Sequence, residues 1–272
     1  MADVSAVVLC GGLSSRMGRP KAWLPWRGHP MITHVVGVLG QVTDDIVVVT
    51  SESLDLPPLP ARVVRDDLPG HGPLAGLAVG LADARQGLSF VTSTDAPFLT
   101  PGFATAVLAP GVAAAPVADG HVQTLAAAYP SERGAAQARR LLEAGKRRPL
   151  DLLETLDYQQ LPIESLPDGR SLDGFNTPSE YLAAVCAEGA ASATVEFIGR
   201  ARRLIGREAI DVPVGSLRDV LGHAPASAGL VEDGRLAASF LVSLGGRDFV
   251  RDLDVPIGPG EAVVVLDAAA GG

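Results

Sequence analysis

The sequence predicts an α/β fold: a doubly wound, mostly parallel sheet followed by a small α+β domain. Three observations carry this. Short, wholly apolar runs such as Ser5-Ala6-Val7-Val8-Leu9 read as strands buried on both faces, as parallel strands are. Such runs alternate with helical stretches through about the first two thirds of the chain. After Cys186 the pattern changes to several strands around one convincing helix.

The bulk numbers narrow the class. The chain has 272 residues, 47% hydrophobic and 19% charged, enough for two domains with a well-buried core. A net charge of −9 argues against long nucleic acid as a partner, which wants basic patches. Two cysteines, Cys10 and Cys186, exclude a disulfide framework and a cysteine-rich zinc site. Met1-Ala2-Asp3-Val4 has no basic n-region and no run approaches membrane-spanning length, so the expected location is the cytoplasm.

The first strand leads into Leu9 to Lys21, LCGGLSSRMGRPK. Gly11 and Gly12 let backbone N–H groups approach a ligand with no Cβ in the way. A run of such groups makes a concave anion site. Arg16 and Lys21 add positive charge, so the stretch reads as a loop for a nucleoside triphosphate. It is neither a Walker A loop, since Ala22 follows Lys21, nor a Gly-x-Gly-x-x-Gly fingerprint. The chain uses lysine only at Lys21 and Lys146, and a compact, mobile ammonium at Lys21 suits a phosphate that changes charge during reaction.

Ile32 to Leu39 reads as a helix, Asp45 to Thr50 as the second strand and Arg62 to Arg65 as a third. Ligands of such sheets sit beyond the carboxyl ends of the strands, where strand order reverses, and the glycine loop is placed for that. Asp66 opens the next loop, and Gly72-Pro73-Leu74-Ala75-Gly76 follows, with Pro73 suited to a first helical position. Gly76 and Gly80 follow Gly72 at spacings of four on one helical face. Each costs the helix roughly 1 kcal/mol, so close approach to a strand or to a nucleotide is expected. Leu88 to Thr92 is a fourth strand, and Asp95 lies just past its end. A hard carboxylate there suits Mg²⁺, while Thr100-Pro101 signals a new helix.

Ala113 to Val117 and Gln123 to Tyr129 read as two strands joined by a turn at Asp119-Gly120, and Ala135 to Ala144 as a helix. Lys146, Arg147 and Arg148 follow it; they either cap the helix dipole or grip a phosphorylated acceptor. Thr177 can cap a helix from Pro178, with Glu180 completing a capping box, and Asn176 is a possible metal or phosphate ligand.

The string LCGGLSSRMGRPK closely resembles the signature of the nucleotidyltransferases that modify molybdopterin. The Gly11-Gly12 pair and Gly72-Pro73-Leu74-Ala75-Gly76 are similar to the guanylyl-transferring, MobA-like branch. The resemblance implies a nucleotide-diphospho-sugar transferase-like fold over residues 1–187. It implies GTP held by Leu9, Cys10, Gly11, Gly12, Lys21, Thr50, Asp66, Gly72, Pro73, Leu74 and Asp95. It also implies catalysis by Lys21 and Arg16, Mg²⁺ on Asp95 and Asn176, and molybdopterin held by Lys146, Arg147 and Arg148. The chain departs from the family at Gly174 and Thr50, where asparagine is usual.

Cys186 to Ser192, small and weakly patterned, read as a linker. Thr194 to Ile198, Ala209 to Val212, Ala237 to Ser243 and Ala262 to Leu266 read as strands, and Leu217 to Leu221 as a helix capped by Ser216. That order fits a ubiquitin-like β-grasp over residues 193–272. With its Gly258-Pro259-Gly260-Glu261 turn and final Gly271-Gly272, it resembles the small, sulfur-carrying subunit of molybdopterin synthase and the thiamine-pathway carriers. The resemblance implies a thiocarboxylate on Gly272 and, as partners, the large synthase subunit and an E1-like adenylating enzyme. Two alternatives stay open: transfer to another small phosphorylated acceptor, and a C-terminal domain that modifies proteins or only docks.

Overall fold

Strand β1 (Ser5–Cys10) is buried along its whole length, as is β2 (Asp45–Thr50), which requires cover on both faces of a sheet. The computed structural model describes residues 3–11, 16–66, 72–189, 191–225 and 227–268. They form two compact units. The first comprises Met1–Leu13, Lys21–Trp23 and Pro30–Gly174; the second comprises Ser14–Pro20, Leu24–His29 and Phe175–Gly272.

In the first unit, β1 and β2 join β3 (Arg62–Arg65), β4 (Leu88–Ser93), β5 (Ala114–Ala118), β6 (Ala126–Pro130) and β7 (Gln159–Pro162). The order is β7-β5-β6-β4-β1-β2-β3, with the short His121–Val122 strand beside β5. Pairing is parallel except at β6, which runs against both β4 and β5, and at the short strand. Strand order therefore reverses between β1 and β4. The expected doubly wound, mostly parallel sheet is what forms.

Alternate residues of β1 feed two cores, as the two-residue period of a strand dictates. Ala6, Val8 and Cys10 face helices α1 (Met31–Leu39) and α3 (Pro101–Leu108) through residues such as Val35, Leu39 and Phe103. Val7 and Leu9 face α2 (Pro73–Asp83), α4 (Ser131–Glu143) and α5 (Pro149–Thr155) through Leu77, Leu81, Ala138 and Leu152. The anticipated caps form: Pro73 opens α2, and the Thr100 hydroxyl accepts from Phe103 N–H at 3.2 Å. Asp119 and Gly120 both sit at positive φ, as a two-residue hairpin turn requires.

Gly80 settles the question raised by its spacing. A Cβ there would lie 2.4 Å from Val7 Cγ1 and 2.8 Å from Val49 Cγ2, so glycine lets α2 press onto β1 and β2. At Gly76 the nearest atom would be Leu9 Cδ2 at 3.2 Å, which is again packing against the strand. Gly80→Ala should therefore destabilise the protein by about 1–3 kcal/mol, despite alanine's better helix propensity. A urea midpoint unchanged or raised in the variant would refute the packing account.

Several elements differ from expectation. Helix α4 begins at Ser131 rather than Ala135, because Gly134 weakens the sequence signal while letting α4 close on Leu81, 3.0 Å from where its Cβ would be. Strand β6 begins at Ala126, since Gln123 closes a turn by bonding Pro116 O at 2.8 Å. Helix α5 and edge strand β7 were not anticipated: one follows a run of cations, and the other buries only Leu161.

The second unit has its own core and a five-stranded sheet of β8 (Ser192–Phe197), β9 (Ala209–Pro213), β10 (Phe240–Leu244), β11 (Asp248–Val250) and β12 (Ala262–Asp267). The order is β9-β8-β12-β10-β11, with β8 and β12 parallel and the other pairs antiparallel. It also holds α6 (Pro178–Ala187), α7 (Arg200–Ile205) and α8 (Leu217–Gly222). The predicted capping box of Thr177 with Glu180 forms on α6, and the predicted Ser216 cap on α8 forms as a box with Asp219. Helix α7 and strand β11 were not anticipated; α7 is only six residues long, between Gly199 and a left-handed Gly206, and β11 is three.

Within this unit Trp26, Phe175 and Tyr181 form an aromatic cluster of tilted and edge-to-face contacts, and the Tyr181 hydroxyl donates to Pro25 O at 2.6 Å. A Cβ at Gly258 would fall 2.1 Å from that hydroxyl, so the glycine brings its turn onto α6. Burial first, and then the nearby Glu261 carboxylate, push the Tyr181 phenol well above its ordinary value.

Candidate nucleotide site

The carboxyl ends of three strands line up by register. Cys10 on β1 pairs with Thr50 on β2, Thr50 pairs with Arg65 on β3, and Asp66 N–H then bonds Thr50 O at 2.8 Å. On the other side of β1, Leu9 pairs with Ser93 of β4. Thr94 ties that junction, its N–H and hydroxyl both reaching Leu9 O, at 3.1 and 3.2 Å. Leu9, Cys10, Thr50 and Asp66 are thus brought together at one edge of the sheet. The thiol of Cys10 is pushed up by burial, partly offset by the Thr94 and Thr50 hydroxyls, so it stays protonated at neutral pH.

Lys21 and Asp95 meet at the point where strand order reverses. Lys21 opens a short 3₁₀ turn, Lys21–Trp23, and its Nζ donates to Asp95 Oδ2 at 2.6 Å. The Ser93 hydroxyl donates to the other carboxylate oxygen at 2.5 Å. Burial pushes the Asp95 carboxyl up, but the Lys21 ammonium and the Ser93 hydroxyl outweigh it, leaving the group below its ordinary value. Asp95 is therefore ionised at neutral pH, with a mobile cation on one side. The sequence picked out both residues from their places after β1 and β4, but not Ser93, whose only signal is its position two residues before the aspartate.

Gly174 explains one departure from the resembling family. A Cβ there would lie 2.9 Å from Asp95 O, so a larger residue would have to displace the backbone that carries Asp95.

Gly72 caps α2 at φ +76, followed by Pro73 and the buried Leu74. Arg147 O lies 3.5 Å from where a Gly72 Cβ would be, so the start of α2 adjoins the cation run. Within that run, Arg147 bonds Leu142 O at 3.2 Å, as a cap on the end of α4 does. Lys146 and Arg148 pair with Asp151 at 3.7 and 3.0 Å and keep side chains 54% and 72% exposed, open to a further anion. Gly11 is exposed, with open space where a Cβ would be. Arg16 is exposed in a turn and, like Asn176, belongs to the second unit; the Asn176 N–H bonds Glu180 at 2.7 Å. Gly12 and Gly272 lie outside the described residues.

Comparisons with known proteins bear on this arrangement. Residues 6–160 match the family described as "MobA-like NTP transferase domain". A protein of Mycobacterium avium (strain 104) named "Probable molybdenum cofactor guanylyltransferase" is 37% identical over 195 residues, covering 67% of this chain and 97% of that protein. A namesake from Mycobacterium tuberculosis H37Rv is 45% identical over 102 residues, 36% of this chain and 51% of that one. Among solved structures, molybdopterin-guanine dinucleotide biosynthesis protein A of Archaeoglobus fulgidus superposes with a TM-score of 0.57 at 24% identity, over 68% of this chain and 99% of that one. The 2-C-methyl-D-erythritol 4-phosphate cytidylyltransferase of Thermus thermophilus does so at 0.54 and 17%, over 67% and 97%. These two show the shared fold. The loop, the strand order and the sequence matches agree: the chain belongs to the MobA-like NTP transferase family and is a nucleotidyltransferase.

Proposed function

We infer that the chain transfers GMP from GTP to molybdopterin, or to its molybdenum form, and that its second unit is a ubiquitin-like sulfur carrier. The observation that carries the first part is the Lys21–Asp95 pair at 2.6 Å, at the strand-order switch where ligands of such sheets bind. The Mycobacterium avium relative's name supports the same chemistry.

In this reading an oxygen of the acceptor phosphate attacks the α-phosphorus of GTP. A new P–O bond forms, the bond from the α-phosphorus to the bridging oxygen breaks, and pyrophosphate leaves with that electron pair. The attacking phosphate is already ionised, so no general base is needed. Positioning and charge stabilisation then carry the catalysis. The Lys21 ammonium, with Arg16 and the loop N–H groups, sets positive charge against the triphosphate. Lys146, Arg147 and Arg148 would receive the acceptor phosphate.

The residues present fit Mg²⁺. This ion takes one or two carboxylates and completes its shell with substrate phosphates and water rather than a protein cage. Asp95 supplies one hard, ionised carboxylate, and among the described residues no cluster of three or more His, Cys, Asp or Glu forms. Asp95 would hold the ion, with Asn176 as the second ligand the resemblance suggests; bound there, it would neutralise phosphate charge.

Support for the sulfur carrier comes from topology. The first and last strands of its five-stranded sheet, β8 and β12, lie side by side and parallel within it, with α8 between the second and third strands in chain order. A β-grasp shares that arrangement, which supports the reading. The large synthase subunit and an adenylating enzyme would be its partners, with sulfur carried as a thiocarboxylate on Gly272.

The test gives the full chain α-labelled GTP, Mg²⁺ and molybdopterin. Label on a pterin dinucleotide with release of pyrophosphate is expected, and CTP should serve much less well. Label reaching only a sugar phosphate or phospholactate would replace this reading with transfer to another acceptor. For the second unit, intact mass after incubation with an adenylating enzyme and a sulfur donor should show one oxygen replaced by sulfur. No gain, where a known carrier is charged, would leave a docking module or protein modifier.

A further inference from the structure

We propose that Ser171 is a positioning residue for nucleotidyl transfer: from a turn after β7 its hydroxyl holds the backbone that carries Asp95, and so sets where that carboxylate stands. The proposal rests on the reading of Lys21 and Asp95 as the nucleotide site. Every residue in it belongs to the first unit.

The chain from β4 to α3 reads Ser93-Thr94-Asp95-Ala96-Pro97-Phe98-Leu99-Thr100-Pro101. From Thr94 onward it lies past the end of β4, and Pro97 and Pro101 have no N–H to donate. Side chains hold its far half. His34 Nε2 donates to Pro97 O at 3.0 Å. Ser171 Oγ donates to Phe98 O at 3.3 Å and accepts Thr100 N–H at 3.2 Å. The turn that presents this hydroxyl is itself fixed: it is a 3₁₀ turn, Gly169–Leu172, and Ser171 N–H closes onto Asp168 O at 2.7 Å. Two residues past the turn, the missing side chain of Gly174 lets the chain close on Asp95 O.

Other contacts join the same two segments, but water can replace them. The Thr100 hydroxyl donates to Asp168 Oδ2 at 2.8 Å on the exposed side, and the Arg170 guanidinium, 4.6 Å from the Phe98 ring centroid, belongs to a side chain 73% exposed. Ser171 is 3% exposed, and losing its hydroxyl would leave a backbone N–H and a carbonyl unpaired where water has little access. The loop that carries Asp95 is thus fixed at one end by β4 and at the other by Ser171. Reacting groups must be held to a fraction of an ångström, and partners one step behind a metal-binding carboxylate are part of what holds it.

Ser171→Ala in the full chain tests this, since it removes only the hydroxyl. With GTP, Mg²⁺ and molybdopterin, kcat/KM should fall about tenfold. Without acceptor, the dissociation constant of the Mn²⁺–GTP complex, read by electron paramagnetic resonance, should rise by about as much. The same substitution made in an Asp95→Asn chain should change transfer by no more than about twofold, because the hydroxyl acts through that carboxylate. A merely structural role would cut both proteins by the same factor. Equal losses in the two backgrounds, or unchanged transfer and Mn²⁺–GTP binding in a folded Ser171→Ala protein, would overturn the proposal. Should that variant not fold, Ser171→Cys, which keeps the shape with a much weaker hydrogen-bonding group, takes its place. A smaller loss of the same pattern is then expected, and no loss would overturn the proposal. If the wild-type chain transfers nothing from GTP, the functional reading fails, while Mn²⁺–GTP binding still tells whether Ser171 positions the site.

Discussion

Lys21→Ala should lower nucleotidyl transfer about 10²–10³-fold while leaving the fold in place, the usual effect of removing one preorganised charge-stabilising group. Lys21 is the cation at the strand-order switch, and the triphosphate gains negative charge on its leaving group as the α-phosphorus is attacked. Arg19, two residues earlier, is no substitute, because its side chain is buried against Glu261. The structural cost should be small, about 1 kcal/mol or less, since the Lys21–Asp95 pair is partly open to solvent. Asp95 would keep its bond from Ser93. Both KM for GTP and kcat should suffer, because the ammonium contacts the triphosphate before and during reaction. Wild-type turnover in a folded variant would show that the loop assignment is wrong.

How much of this was legible in the sequence follows from where the signals lie. The strands around the site are apolar on both faces, so β1, β2 and β4 could be placed within a residue. Caps with local chemistry, at Pro73, Thr100, Thr177 and Ser216, were equally plain because the partners lie three or four residues away. Lys21 and Asp95 stood out because each follows a strand end, which is where such sheets bind ligands.

What could not be read were relations between distant residues. Nothing in the neighbourhood of Gly174 says that its missing side chain makes room for Asp95 O, 79 positions earlier. The same holds for Arg19, which in the sequence is one more cation in a phosphate loop. Its burial against Glu261 depends on how residues 242 positions apart meet, and that appears only in the folded chain. Gly80 was ambiguous for a related reason: the spacing showed that one helical face was stripped of side chains, and only Val7 and Val49 show what occupies the space.

Asp95→Asn should separate the two roles that meet at the site. The substitution keeps size and hydrogen-bonding shape but removes the negative charge, so Mg²⁺ loses its carboxylate and transfer should fall about 10²–10³-fold. Binding of GTP without metal should behave differently. In the native protein Asp95, ionised and 2.6 Å from Lys21 Nζ, competes with phosphate for the same ammonium. Removing that competitor takes one negative charge away from Lys21, so the dissociation constant for metal-free GTP should stay level or fall in the variant. Lys21→Ala predicts the reverse, with binding weakened whether metal is present or not. Titrating GTP into both variants, with Mg²⁺ and with a chelator, distinguishes the two. If Asp95→Asn weakens metal-free GTP as much as Lys21→Ala does, the carboxylate serves to aim the lysine rather than to hold an ion. Its place after β4 would then be explained by the ion pair alone.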